Sequence, residues 1–477
     1  MIRDIKRSLV MPNWLELILV AVFPAALYLR TLAPTLTWAH NGQDGGDLIT
    51  AVYTLGVPHP PGYPTYVLLG RLFAWLPVGG VAYRLNLMSA VCAVLAITLV
   101  YLVVRDLLMG AESPAWIARI SALGAAWALA VSPLFWSQAI IAEVYTLNAF
   151  FVALCLYWLL RWRAGSGLSR AQTRGGMRRL VGLSFAFGLA VGNHLTIALL
   201  VVPVLIYLAF HQGAGTEHST LRARARRYGP LLLALGAGLS VYLYLPWAAW
   251  RDPPLNWGDP RTLWRFLWVV SGGPYRAYVF ALPLAQVPAR LSATAWLLLK
   301  QFGPWGVALG LTGLGRLWQD DKPFGLLTGA SAALYWVYAV GYDTSDSYVY
   351  LIPAFLFFAV WIGTGTWTIL VMLRERWVPL VGLAGVALLT IIVTAAWVNL
   401  SALDLSDDRS AYDWGVATLE GMPKGGLVVT KRDEETFTLW YLQYVEGVRP
   451  DVVVVDKDLL GYDWYGRALR ARYPHLE

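Results

Sequence analysis

The sequence predicts an all-α polytopic membrane protein that carries a small α/β unit at its C-terminus. Of the 477 residues, 58% are hydrophobic and only 14% are charged, whereas soluble domains carry roughly 25% charged residues. The apolar residues form runs close to the ~20 residues that cross a bilayer core. The 24 tryptophans and 25 tyrosines suit the interfacial belts of such a protein. Most arginines stand in short loops beside the spans, so the formal charge of +8 does not indicate a nucleic-acid partner.

The apolar runs predict about 11 transmembrane helices. The basic start of the chain, with Arg3, Lys6 and Arg7, leads directly into the first of them, which is not the pattern of a cleaved signal peptide. The predicted spans are 14–33, 82–107, 115–134, 138–161, 180–192, 194–211, 229–249, 291–315, 324–341, 348–371 and 378–399.

Two basic clusters orient the chain, because short cytoplasmic loops are enriched in Lys and Arg. With both clusters and the N-terminus inside, the first loop, 34–81, and the second large loop, 250–290, lie on the non-cytoplasmic side. These outer loops are long, polar and aromatic, so we expect the function to reside there. The clusters are Arg161, Arg163, Arg170, Arg174, Arg178 and Arg179, and then Arg222, Arg224, Arg226 and Arg227.

This orientation constrains residues 180–211, which must leave the cytoplasm and return within 32 residues. Two full spans need about 40 residues. We therefore expect a short pair that turns within the membrane around Gly192-Asn193-His194, where irregular backbone must be covered by protein or water. The alternative is one long tilted helix, which would place the two basic clusters on opposite sides.

The composition changes after residue 400, which divides the chain into a membrane domain, 1–400, and an extracytoplasmic α/β unit, 401–477. Charged residues return in this second part. Leu427–Thr430 and Val452–Val455 have the composition of short buried strands, and helical stretches follow each. We expect this unit to rest on the membrane domain.

The first outer loop carries the strongest functional signal. Asp44 and Asp47 stand three residues apart, so both lie on one face if the segment is helical. A partly desolvated carboxylate has a raised pKa and can take a proton from a hydroxyl group. His40 and His59 flank the pair, and Pro60, Pro61 and Pro64 stiffen the chain after it. The alternatives are that the aspartates cap a helix and that the histidines are structural; the pattern does not specify a metal site.

Further candidate residues stand near the outer ends of other spans. Ionisable groups in or near a span are functional candidates by default, although each of these also fits an ordinary interfacial position. Arginines in the second outer loop run against the charge rule; they suit a donor phosphate, or anionic lipid head groups in general. The candidates are Glu143 with Tyr145, Asn193 with His194, Asp346, and the loop arginines Arg251 and Arg276.

Several motifs resemble a membrane family long known as a domain of unknown function, whose eukaryotic members are protein O-mannosyltransferases and which is grouped with the GT-C glycosyltransferases. Where that family usually has Glu, this chain has Asp47. The matching stretches are Asp44-Gly-Gly-Asp47, Leu55–Pro64, Arg84–Ala90, Ala142–Asn148, Gly192–Thr196 and, more weakly, Thr436–Leu442 and Glu446–Asp451.

This resemblance implies a GT-C-like transferase that uses a polyprenyl-phosphate-linked sugar, mannose or a similar hexose, on the non-cytoplasmic side. It places the catalytic carboxylate at Asp44 or Asp47. Within the matching motifs we expect Tyr63 to line the substrate pocket and Arg84 to contact the donor phosphate. The expected reaction inverts the anomeric carbon and needs no metal or other cofactor.

The acceptor could be a protein, a lipid or a glycan, and the expected membrane is a bacterial plasma membrane with the site facing outward, or the endoplasmic reticulum with the site facing the lumen. A transporter or flippase for a lipid-linked saccharide would use the same features. Such transporters commonly have paired broken helices, whereas this sequence shows one candidate break, at 192–194. A non-catalytic scaffold is a third possibility, which the crowded polar first loop disfavours.

Overall fold

The computed structural model describes residues 13–109, 113–165, 174–211 and 221–474, and most of them are helical. The first seven helices are α1 (Trp14–Thr31), α2 (Gly45–Thr54), α3 (Pro64–Ala74), α4 (Val81–Leu108), α5 (Ala115–Ala130), α6 (Pro133–Ala139) and α7 (Tyr145–Gly165). The next seven are α8 (Arg174–Val191), α9 (Val201–His211), α10 (Leu221–Leu239), α11 (Tyr244–Trp250), α12 (Leu263–Val270), α13 (Val287–Asp320) and α14 (Lys322–Gly341). The last elements are α15 (Ile352–Arg376), α16 (Val378–Leu403), α17 (Ser410–Glu420), β1 (Leu427–Thr430), α18 (Asp433–Tyr444), β2 (Val453–Asp456) and α19 (Asp463–Arg472).

Each of the predicted spans corresponds to helical structure, but fewer than eleven are long and apolar enough to cross a membrane on their own. Seven helices of the described residues meet that criterion, and α5 with α6, bent by 68°, would make an eighth. The others depart for local reasons: Leu195–His211 is short, α8 begins with arginine-containing sequence, and α13 is interrupted at Gly303.

Helix α15 forms the centre of the membrane domain. All of its residues from Ile352 to Trp367 are buried, which is the pattern of a helix surrounded by others. Glycines on α13 and α15 allow these two helices to approach closely, because a Cβ on Gly313 would collide with the carbonyl oxygen of Trp361, and one on Gly365 with that of Leu309. Small residues commonly provide such contacts between membrane helices.

The segment 174–211 is a pair of helices that returns to its starting end. The helical structure breaks at residues 192–194. Before the break, Arg179 donates to the carbonyl oxygen of Arg161 at 2.9 Å; after it, the ring of His211 lies 6.1 Å from that of Trp162. Both ends therefore lie beside the end of α7, as expected for the short pair and not for one long helix. Arg170 of the first basic cluster lies outside the described residues, as do the side chains of the second cluster.

The C-terminal unit has the predicted α/β character. Strands β1 and β2 pair in parallel, with Leu427 opposite Val453, and α18 connects them. Strand β2 is buried, but β1 is not: Leu427 and Val429 are 51% and 58% exposed. The expectation of two buried strands is therefore wrong for β1, because only one face of this edge strand is covered, and alternate side chains point away from that face.

Candidate active site

The first outer loop forms a tight turn that presents its two aspartates at the start of α2. A 3-10 turn covers Ala39–Asp44, and within it His40 and Asn41 have left-handed backbone angles, with φ of 59° and 63°. Asp44 stands at the position that precedes α2, but its carboxylate makes no capping hydrogen bond. Helix capping therefore does not account for Asp44.

Asp47 is buried, and its carboxylate is saturated by hydrogen bonds. One oxygen, Oδ2, accepts from the backbone N–H of His59 at 2.9 Å and lies 2.7 Å from the ring atom Nδ1 of the same residue. The other, Oδ1, accepts from the indole N–H of Trp257 at 2.8 Å. The side chain is 0% exposed, so Asp47 orients His59 and is not open to a substrate.

Asp44 is the accessible carboxylate of the pair. Its side chain is 42% exposed, and its Oδ2 lies 3.6 Å from Nε2 of His59. The imidazole of His59 therefore stands between the two aspartates and faces each with a different ring nitrogen. The sequence left open which aspartate meets the substrate; burial distinguishes them clearly.

The charged groups of the site shift one another's pKa values. Burial alone would lower the pKa of His59, but Asp44 and the hydrogen bond to Asp47 raise that pKa to about 9, so the imidazole is positively charged at neutral pH. Partial desolvation by the surrounding protein raises the pKa of Asp44, although the charge of His59 opposes this change. Burial, followed by repulsion from Asp44, also raises the pKa of Asp433 to about 6. Asp44 is thus a more basic carboxylate than an ordinary aspartate.

The raised pKa of His59 predicts a specific loss of stability in mild base. A folded-state pKa of about 9, above the ordinary 6.5, stabilises the fold fully below pH 6.5, and this contribution disappears as the pH rises through 9. We expect the loss to be about 3 kcal/mol, visible as a falling thermal midpoint of the purified protein. In His59→Gln this decline should be absent.

His40→Gln provides the control for that measurement. Burial lowers the pKa of His40, so this histidine does not contribute a loss above pH 6.5. A decline that is equally steep in the parent protein and in His59→Gln would contradict the assignment of a charged His59.

Aromatic rings enclose His59 on several sides. Tyr63 lies edge-on to it, with ring centroids 5.0 Å apart, and Phe437 is stacked over it at 6.4 Å. Trp257 and Tyr275 each lie 6.3 Å away. These rings keep bulk water from the imidazole and so strengthen its attraction to the two aspartates.

A second group of side chains, which forms another wall of the site, contains the candidates from the middle of the chain. His194 lies 5.6 Å from Tyr145, 5.7 Å from Tyr350 and 6.4 Å from Tyr63, measured between ring centroids. Asn193 donates to the carbonyl oxygen of Val144 at 3.1 Å. These contacts bring the turn at 192–194 against the start of α7, and Tyr63 links this wall to His59.

Two acidic candidates lie close enough to influence Asp44. Glu143 is only 3% exposed, and both Glu143 and Asp346 act on the charge of Asp44 or are acted on by it. Asp346 precedes the 3-10 turn Ser347–Leu351. Both therefore belong to the acidic surroundings of Asp44, and their role in substrate binding stays a prediction.

His40 and Arg84 have structural contacts that the sequence did not reveal. The carbonyl oxygen of His40 accepts from Gln138 at 2.8 Å, and its ring is influenced by Asp408, not by Asp44. The guanidinium of Arg84 donates to the carbonyl oxygens of Ala74, Val78 and Gly79. Those bonds hold the loop before α4, so the expected phosphate role of Arg84 is not supported by its position.

The two arginines of the second outer loop that the sequence predicts for the donor phosphate, Arg251 and Arg276, lie in different places. Arg276 directly follows Tyr275, which borders His59, and Arg276 also donates to the hydroxyl of Ser271. Arg251 lies with its guanidinium 4.9 Å from the ring centroid of Trp247, and that ring is 50% exposed. Arg276 therefore stands next in the chain to a residue that borders His59, whereas Arg251 forms a surface cation–π pair.

The C-terminal unit covers the aspartate-bearing turn. Helix α18 packs on α2, and the indole N–H of Trp38 lies within hydrogen-bond distance of Thr438 Oγ1, at 3.0 Å, and of the Glu434 carbonyl oxygen, at 3.2 Å. Asp433 and Phe437, which both approach the site, belong to this helix. Trp257, Tyr275, Asp433 and Phe437 were not among the predicted site residues; of these, only Phe437 stood in a stretch that resembled the family.

Gly46 allows α2 and α18 to lie in close contact, because it has no side chain. A Cβ there would collide with the carbonyl oxygen of Phe437, whose carbonyl carbon would lie 2.6 Å away. We expect Gly46→Ala to push α18 off α2 and to lower the thermal midpoint of the protein, with faster protease cleavage of the C-terminal unit.

Gly45→Ala is the matched control for Gly46→Ala, since both changes add the same methyl group to the same helix. At Gly45 the nearest atom to an added Cβ is the carbonyl oxygen of Ala142, at an ordinary 3.6 Å. Equal protease sensitivity of the two variants would refute the proposed close packing.

The chain is similar in sequence to known proteins over most of its length. The sequence profile of the protein O-mannosyl-transferase TMEM260 N-terminal domain matches residues 44–218, and that of TMEM260-associated domain 2 matches residues 411–474. The mouse protein O-mannosyl-transferase TMEM260 is 30% identical over 470 residues, which cover 94% of this chain and 63% of the mouse protein. Its namesake from Dictyostelium discoideum is 25% identical and covers 94% of this chain and 58% of that protein. The chain thus spans about 60% of the length of these relatives.

Solved structures share the fold at low sequence identity. ArnT from Cupriavidus metallidurans bound to undecaprenyl phosphate has a TM-score of 0.61 and 13% identity, covering 94% of this chain and 90% of ArnT. The oligosaccharyltransferase AglB from Archaeoglobus fulgidus, in complex with an inhibitory peptide and a dolichol-phosphate, has a TM-score of 0.51 and 14% identity, covering 92% and 65%. The chain is thus similar in sequence to the TMEM260 protein O-mannosyl-transferases over most of its length, and it shares the fold of ArnT and AglB.

Proposed function

We propose that this chain is a membrane glycosyltransferase that moves a hexose from a polyprenyl-phosphate donor to an acceptor hydroxyl. The arrangement of the two aspartates carries this proposal: Asp44 is accessible beside a charged His59, and Asp47 is buried behind it. The names of the relatives favour transfer of mannose to a protein. The lipid phosphates bound by ArnT and AglB favour a polyprenyl-phosphate donor.

In the proposed reaction Asp44 acts as the general base. Its carboxylate takes the proton of the acceptor hydroxyl as that oxygen attacks the anomeric carbon of the donor sugar. The bond from this carbon to the phosphate oxygen breaks, and the polyprenyl phosphate leaves with the bonding electrons. Attack from the face opposite the phosphate inverts the anomeric carbon. His59, held by Asp47, restrains the position of Asp44 and moderates its charge between steps.

The other residues of the site are proposed to bind the donor. Arg276 is proposed to offset the negative charge of the donor phosphate, because it follows Tyr275 at the edge of the site. Tyr63, Tyr145 and His194 are proposed to contact the sugar. Since the leaving group is a monophosphate whose charge an arginine can offset, the proposed reaction uses no metal cofactor.

The side of the membrane and the acceptor are also parts of the proposal. The site around Asp44 is expected to face away from the cytoplasm, either outside a bacterial plasma membrane or in the lumen of the endoplasmic reticulum. A protein hydroxyl is the acceptor that the relatives favour; lipid and glycan hydroxyls are the alternatives.

Purified chain in proteoliposomes tests this function directly. Given a polyprenyl phosphate that carries radiolabelled mannose, it should transfer the label to a serine- and threonine-rich polypeptide and release unlabelled polyprenyl phosphate. A transporter or flippase would move the intact labelled lipid between leaflets without breaking the sugar–phosphate bond. Translocation without transfer would therefore overturn the proposal in favour of that alternative.

A further inference from the structure

A cavity lies beside Trp257, between the second outer loop and the C-terminal unit. Its walls come from residues 252–261 of the loop and from α18, β2 and α19, and its volume is about 440 Å³. That volume falls within the roughly 300–1,000 Å³ of small-molecule sites. Asp44 and His59 are not among the residues that line it, so this cavity is distinct from the proposed transfer site.

Aromatic rings form much of the lining of this cavity. Trp257 and Trp464 lie 5.5 Å apart, centroid to centroid, and Trp440, Tyr444 and Tyr465 complete the aromatic part. The flat face of an aromatic ring packs well against an apolar surface of C–H groups. A pyranose ring offers such a surface on its face and hydroxyl groups around its rim.

Polar groups without partners accompany these rings. The Oδ1 atom of Asn256 and the indole N–H of Trp464 are buried and make no hydrogen bond, although both residues line the cavity. The side chains of Asp252 and Arg467 also line it, at exposed positions, and within the described part of the chain neither has a hydrogen-bond or ion-pair partner. Buried polar groups are normally satisfied, so unsatisfied ones at a cavity suggest that a ligand supplies the missing bonds.

The neighbouring charges show what satisfied groups look like in the same region. Asp259 accepts from both Arg261 and Arg265 at 2.5 Å, and Arg472 donates to the hydroxyl of Tyr444 at 2.9 Å. The groups that line the cavity without a partner are therefore a buried amide oxygen and a buried indole N–H, together with one exposed carboxylate and one exposed guanidinium. This mixture of donors and acceptors matches neutral hydroxyl groups, which can both donate and accept, better than it matches a phosphate or an acyl chain.

We propose that this cavity is a second, non-catalytic binding site for a saccharide. The ring face packs on the aromatic lining, and its hydroxyl groups bond to Asp252, Asn256, Trp464 and Arg467. Because the ring of Trp257 lines this cavity while its N–H holds Asp47, a bound saccharide lies one side chain from the aspartate that orients His59. The site thereby gives the protein a contact with glycan that is separate from the sugar being transferred.

Saturation-transfer NMR of the purified full chain in detergent tests this site without donor or turnover. The probes are methyl α-mannopyranoside and a mannose disaccharide, with sorbitol as an open-chain polyol that lacks a rigid ring face. We expect saturation of both saccharides and not of sorbitol. Trp464→Ala should weaken binding about tenfold, as for the loss of one stacked ring with its N–H, and Arg467→Ala, at an exposed position, should weaken it without disturbing the fold.

Two further variants assign the signal to this cavity. Trp264→Ala removes a ring that is 77% exposed on α12 and does not line the cavity, so saturation should be unchanged. Asp44→Asn should also leave it unchanged, which separates this site from the proposed transfer site. The proposal is overturned if neither saccharide is saturated, if sorbitol matches them, if Trp464→Ala and Arg467→Ala both bind like the parent, or if a threonine-containing peptide binds in their place.

Discussion

Replacing Asp44 by Asn is expected to reduce transfer by about 10²–10⁴-fold, the usual contribution of a general base, while the fold is retained. The amide cannot take the proton of the acceptor hydroxyl, but it is close in shape to the carboxylate. Because the side chain is 42% exposed and makes no capping bond, its replacement leaves no buried group unpaired. The measurement is the initial rate of radiolabel transfer from the lipid donor in proteoliposomes, together with the thermal midpoint of the variant.

Asp413→Asn is the matched control, since it makes the same chemical change at a surface position. The side chain of Asp413 is 65% exposed beside Arg409 and is not among the residues described around Asp44. We expect the transfer rate of the Asp413→Asn variant to match that of the parent. Transfer that survives Asp44→Asn but disappears in a well-folded Asp47→Asn variant would assign the base to Asp47 and refute the assignment made from burial.

Replacing Asp47 by Asn is expected to damage the fold itself, at about 3–5 kcal/mol, the cost of removing one partner of a buried ion pair. Its carboxylate accepts from two groups of His59 and from the indole of Trp257. An amide would direct N–H groups at donors and would leave the charged imidazole with the charge of Asp44 alone. The measurement is thermal unfolding in detergent, and transfer should fall as well because His59 loses its orientation.

Trp257→Phe separates the parts of that network. It removes only the indole N–H from Asp47, so we expect a smaller loss of about 1.5–3 kcal/mol, the range for a hydrogen bond to a charged group. A thermal midpoint of Asp47→Asn equal to that of the parent would show that Asp47 is not the buried, bonded carboxylate described above.

Much of the membrane domain was open to prediction because a bilayer imposes simple rules. Runs of apolar residues mark helices, and each predicted span corresponds to helical structure. Even the return of the chain near residues 192–194 followed from two basic clusters and a length too short for two full spans. The number of helices that cross alone was harder to predict, because a break such as that at Gly303, which directly precedes Pro304, lies inside a predicted span.

The site was only partly predictable. Asp44, Asp47 and His59 share one short loop, and the family motif drew attention to them. Arg84 and His40 stand in the same region, but their contacts show that they support the backbone. Nothing in a linear pattern distinguishes an arginine that binds phosphate from one that binds three carbonyl oxygens.

From the residues alone one learns that this is a helical membrane protein with an acidic, histidine-containing outer loop, and that its motifs resemble those of a family grouped with the GT-C glycosyltransferases. Which aspartate is buried depends on partners far away in the chain, because Trp257 and Phe437 reach the loop only after the second outer loop and the C-terminal unit have folded over it. Burial and hydrogen-bond saturation arise from such long-range contacts. These contacts bury Asp47 against His59 and leave Asp44 accessible for its proposed role as the general base.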